Sequence, residues 1–127
     1  MLFRSKAVES YEKALAIQEA LNDRPRMAQT LGGLGTALLR ARRPHEAAER
    51  LEQAAAIQRS LDDRRHLPVT LYNLAKAYDA DGETEAAARC AIEGLRTAKG
   101  RTRTNLESLL RRLGASGHDG PRSTDGV

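Results

Sequence analysis

The sequence predicts an all-α protein, an α-solenoid of antiparallel helix pairs with about two and a half repeats and a closing helix. Three observations predict it. The block Lys6–Arg24 returns as Glu46–Arg64, with ten of nineteen aligned residues identical at an offset of 47 − 7 = 40. Apolar residues recur at spacings of three and four, the period of a helix with one buried stripe. The hydrophobic 40% of the chain is mainly Ala and Leu, with four aromatics (Phe3, Tyr11, Tyr72, Tyr78) and no Trp. Such a core is thin, and suits helices packed through small residues.

The first helix is expected over Ser5–Leu21, with a stripe of Val8, Tyr11, Leu15 and Leu21 flanked by Ala7, Ala14 and Ile17. Pro25 follows the Asn22-Asp23-Arg24 corner and opens the next helix, since its missing N–H costs no bond in a first turn. That helix, Arg26–Arg40, buries Leu31, Leu34, Leu38 and Met27. Gly32, Gly33 and Gly35 weaken it by about 1 kcal/mol each against Ala. Gly35 falls where neighbouring helices approach closely, whereas Gly32 and Gly33 have no packing reason visible in the sequence. Pro44 starts a helix to Leu61, Asp62-Asp63-Arg64 closes it, and Pro68 opens Val69–Asp79. Gly82, in the turn Asp81–Thr84, suits the left-handed conformation at a helix end. Glu85–Ala98 follows, then a closing helix Thr102–Leu113 with Leu106, Leu109, Leu110 and Leu113 on one face. The helical domain is thus expected over 1–113. The stretch 114–127, with four Gly, one Pro and no bulky apolar residue but Val127, is expected to be a disordered tail.

The run Leu71, Leu74, Ala75, Tyr78, answered by Ala87, Ala91 and Gly94, resembles the tetratricopeptide repeat. The resemblance covers Ala7–Leu95, and the forty-residue period is similar to the longer-helix variant of kinesin light chains and of the arms of bacterial regulators. It implies a right-handed superhelix whose first helix in each pair lines a concave groove. By helical register the groove residues are then Gln29, Gly32, Thr36, Leu39 and Arg40 in one unit. In the next they are Val69, Tyr72, Asn73, Lys76, Asp79 and Ala80. Asn73 is the foremost candidate, because an amide can donate to and accept from a peptide backbone at once. The first unit has Gly33 at that place. Tyr72 and Lys76, one turn apart, offer a stacking face and a charge; alternatively Tyr72 is a partly buried packing residue and Lys76 pairs with Asp79 or Asp81. Tyr11 and Tyr78 fall at large core positions.

Counted in units, the chain starts on a second helix, so Ser5–Leu21 is expected to present an apolar face that either a longer array or another chain covers. The expected function is a non-catalytic protein–protein interaction scaffold, implied to be the sensor or regulatory arm of a larger bacterial regulator. The alternative is self-association through the N-terminal helix. The expected partner is a protein or peptide, with no cofactor and no metal.

Charged residues make up 30% with both signs interspersed, and the net charge is +4. That excess forms no long basic block with interleaved aromatics, which disfavours nucleic acid. The basic groups Arg40/Arg42/Arg43 and Arg64-Arg65-His66 read as solvated helix ends or as receivers of an acidic peptide or a phosphate. Lys99–Arg103 and Arg111-Arg112 are weaker versions of the same. No apolar run approaches the ~20 residues of a membrane helix, no signal-peptide core is visible, and the single Cys90 fits a reducing compartment. A cytoplasmic location is expected. His45, His66 and His118 lie far apart with no ligand-spaced partners, and Gly32-Gly33-Leu34-Gly35 lacks the Gly-Lys-Ser/Thr ending of a phosphate loop. An enzyme is not expected.

Overall fold

The computed structural model describes residues 5–117, and among these six helices and no strand are present. They are α1 (Lys6–Ala20), α2 (Arg24–Arg40), α3 (Pro44–Ser60), α4 (Leu67–Ala80), α5 (Thr84–Leu95) and α6 (Gly100–Gly117). Each packs on its neighbour in sequence, and α2 also touches α4, and α4 touches α6. The odd-numbered helices therefore stand behind an inner row of α2, α4 and α6.

The starts follow side-chain chemistry. Ser5 caps α1 by accepting from the Val8 N–H at 3.1 Å, and Asp23 caps α2 through Arg26 at 3.4 Å, each satisfying an otherwise orphaned donor. Pro25, Pro44 and Pro68 all sit in first turns. The stops share one backbone device. Asn22, Arg42, Asp62 and Gly82 have φ of 53°, 62°, 53° and 79°, one left-handed residue every twenty positions. At each stop the following N–H reaches back five residues, from Asp23 to Gln18, Arg43 to Leu38, Asp63 to Gln58 and Glu83 to Tyr78. With the shorter bonds from Asn22, Arg42, Asp62 and Gly82 this is a Schellman close. The backbone repeats at half the sequence period, although glycine occupies only one of those four turns.

The core is an alanine-lined seam. Leu34, Leu51, Leu71 and Leu74 are buried, and Ala47, Ala54, Ala55, Ala75, Ala77, Ala87 and Ala91 are fully so. Small side chains let the helix axes close up until the leucines interdigitate. Gly35 is the tightest point, where a Cβ would stand 2.4 Å from Leu51 Cγ. Gly94 is the corresponding gap for Leu106, with a Cβ-to-Cδ1 distance of 3.0 Å. Leu106, Leu109, Leu110 and Leu113 follow Leu71, Leu74, Ala75 and Tyr78 at a uniform offset of 106 − 71 = 35, so α6 docks with the stripe that α4 uses.

Several expectations need correction. Gly33 does have a packing reason: the Tyr11 ring lies over it, and a Cβ there would be 2.6 Å from the ring. Tyr11 itself is exposed rather than a core residue, and Tyr78 is half-buried with its hydroxyl donating to Glu52. Leu21, expected in the buried stripe of α1, is 72% exposed, because α1 ends at Ala20 and Leu21 is its C-cap in the turn. α4 begins earlier than Val69, α5 ends at Leu95 rather than Ala98, and α6 continues to Gly117. The helical region thus passes the boundary expected at Leu113, and the remainder of the expected tail lies outside the described residues.

Candidate partner-binding face

The inner row carries the residues that register assigned to a groove. Val69 is 46% exposed at the start of α4. Tyr72, Asn73 and Lys76 follow on the same helix, each half-buried. The Asn73 amide makes no hydrogen bond within the described chain, so its donor and acceptor are both available. Lys76 pairs with neither Asp79 nor Asp81. Its ammonium sits 4.6 Å from the Tyr72 ring centroid, a cation–π contact. Those two acids are taken elsewhere: Asp79 by Arg112 of α6 at 3.3 Å and Asp81 by His45 of α3 at 3.0 Å.

Burial, and after it the Arg40 charge, pushes the Lys76 ammonium below its ordinary pKa. This places Arg40, at the end of α2, within electrostatic reach of α4, so the two inner helices share one cationic spot. On α2 the picture is barer. Gln29 is exposed, Thr36 donates its hydroxyl to the Gly32 carbonyl at 3.1 Å, and Leu39 packs on the core. Gly32 has open space beyond its Cα, while Gly33 is roofed by Tyr11. The candidate contacts of α4 thus stand together, and those of α2 join them chiefly through Arg40.

The outer helices are tied by polar contacts of a different kind. Arg59 of α3 holds Glu93 of α5 in a bidentate pair at 2.8 and 2.9 Å. That bond raises the guanidinium pKa and depresses the carboxyl. Burial pushes the Cys90 thiol up to about 11, which leaves it protonated and inert. Arg59 and Glu93 border a small cleft of about 230 Å³ that Arg64 and Arg96 also line. No helix among the described residues is long and apolar enough to cross a membrane.

A row of paired helices with half-buried amide, aromatic and ammonium groups along one helix defines a helical-repeat scaffold. The family model for the tetratricopeptide repeat matches residues 5–60, which is α1 through α3. Residues 5–60 thus carry the repeat of a family that generally mediates protein–protein interaction, and α4 and α5 repeat the matched segment at the forty-residue offset. No curated protein matches the chain.

Proposed function

We propose that the chain is a non-catalytic interaction module that holds an extended or helical peptide of a partner protein along α4, between Val69 and the Arg40–Lys76 spot. The observation that carries this is the unbonded, half-buried Asn73 amide between an exposed apolar residue and an ammonium fixed over Tyr72. An amide there bonds a peptide backbone whatever its sequence, while Arg40 and Lys76 favour an acidic side chain one turn further on. Gln29 and Thr36 extend the same face on α2. The resemblance to regulator arms supports a cytoplasmic sensor or regulatory role within a larger bacterial protein. A pull-down with wild type and with Tyr72→Ala/Asn73→Ala tests the site. Loss of a wild-type partner in the variant is expected; equal capture moves the site off α4.

A second reading, self-association, is favoured by α1. Ile17 is 62% exposed and Leu21 72%, although Ile57, at the place of Ile17 in the other copy, is 8% exposed. Light scattering over a concentration series tests it, and a monomer throughout overturns it.

A further inference from the structure

We propose that the cleft between the α3–α4 turn and the α5–α6 turn binds a phosphomonoester, through Arg64 and Arg65 on one wall and Arg96 and Lys99 on the other. The cleft has a volume of about 550 Å³, within the range of small-molecule sites. No carboxylate lines it, and its four cations equal in number the chain's entire net charge of +4. Arg65, Arg96 and Lys99 have no ion-pair partner among the described residues. Arg64 reaches only Asp62, at 3.5 Å between side chains that are 76% and 83% exposed, which is a weak restraint. The carboxylates next door are already held, Asp63 by His66 at 2.9 Å and Glu93 by Arg59. Thr97 and Thr102 add hydroxyl donors, and Pro68, Val69 and Ala98 complete the lining.

A dianion with three acceptor oxygens needs several forked donors converging from different directions, which is what arginines on facing turns supply. A carboxylate, with a single charge, would answer only one of the four cations, against two for the dianion. The cleft has no aromatic on which a base could stack, so a nucleic-acid strand is a poor fit. Nor is the cluster a by-product of the repeat. At the forty-residue offset, Arg64, Arg65, Arg96 and Lys99 correspond to Arg24, Pro25, Ala56 and Arg59. Of those, Arg24 donates to Ser60 at 2.8 Å and Arg59 is bound to Glu93. In the sequence the two walls lie 96 − 64 = 32 residues apart, and only packing of the α5–α6 turn against the start of α4 brings them together. The phosphate belongs either to a phosphorylated side chain of a partner or to a small phosphorylated molecule. The site does not depend on the groove proposed above, although Val69 borders both.

Titration of the full chain at constant ionic strength tests this, with inorganic phosphate, a short phosphoserine peptide and the same peptide unphosphorylated as probes. Saturable binding of the two phosphate-bearing probes is expected, and none of the third. Arg65→Gln/Arg96→Gln should weaken it about tenfold or more, whereas Arg50→Gln/Arg89→Gln, an equal charge change elsewhere, should alter it less than about twofold. Arg65, Arg89 and Arg96 are exposed and Arg50 is half-buried, and a thermal melt of each variant checks that it folds. A phosphopeptide bound much tighter than phosphate assigns the group to a partner chain, and equal affinities assign it to a small phosphorylated molecule. Absence of saturable binding up to about 10 mM phosphate and phosphopeptide, or equal weakening in both double variants, overturns the proposal.

Discussion

Helices α1 and α3 are near-copies in sequence and opposites in environment. Ile17 and Ile57 occupy the same position in the duplicated block, yet the first is 62% exposed and the second 8%. Ile57 belongs to a buried cluster with Leu15 of α1 and Ala28 and Leu31 of α2. It is covered because a helix pair precedes it, and α1 has no such pair among the described helices. Duplication therefore copies a residue's chemistry without copying its surroundings. In a stacked array, the surroundings come from the neighbouring unit. The same contrast separates Gln58, 3% exposed, from the half-buried Gln18.

The largest expected effect sharpens this contrast directly. Ile57→Ala should cost about 2–4 kcal/mol in urea unfolding, as a buried large-to-small change does. Ile17→Ala should cost less than about 0.5 kcal/mol, as at an exposed site. Equal losses would mean that α1 is covered in solution, and would direct attention to the self-associated form.

Next comes the comparison of the two close approaches on α2. Gly35→Ala drives a methyl into Leu51, which is fully buried and cannot swing aside, so a net loss of about 1–3 kcal/mol is expected despite the gain in helix propensity. Gly33→Ala meets the Tyr11 ring, which is 37% exposed and free to rotate outward. It should be close to neutral by the same denaturation assay.

The four helix stops offer a finer comparison. Gly82→Ala meets no atom within 4 Å, so its expected cost of about 1 kcal/mol is purely that of a left-handed backbone. Arg42→Gly removes the same strain from the equivalent turn and should raise the melting stability by up to about 1 kcal/mol.

The smallest effect is a pH dependence confined to one contact between units. His45, hydrogen-bonded to Asp81 and further favoured by that charge and by Glu49, has its pKa raised above the ordinary value near 6.5. A raised folded pKa means that this stabilisation is complete below the unfolded pKa and disappears as pH rises through the folded one. His45→Asn should flatten that part of the stability–pH curve. An unchanged curve would show the contact to be without effect in solution.

Much of the architecture was legible because helix periodicity, proline starts and the forty-residue duplication are local or repetitive signals. The α6 stripe was legible for the same reason. The left-handed turns at Asn22, Arg42 and Asp62 were not, because their residue types do not demand φ > 0. Their regular spacing was the one available clue. Gly33 looked unexplained because its partner, Tyr11, lies on another helix. The α4 candidates stand together as the register placed them, but register said nothing of Lys76 lying over Tyr72, or of Arg40 drawing near it.

The sequence by itself determined that this chain makes paired amphipathic helices with alanine seams, since side-chain volume and period decide which face can be buried. Counting units already left the first helix with an open face; only the tertiary structure decided that Ile17 stands on it while Ile57 is covered, and that Arg64 and Arg65 share a cleft with Arg96 and Lys99. The physical reason is the same in both cases: burial and charge density depend on what other segments bring near a residue, and a repeat unit acquires its neighbours only by stacking.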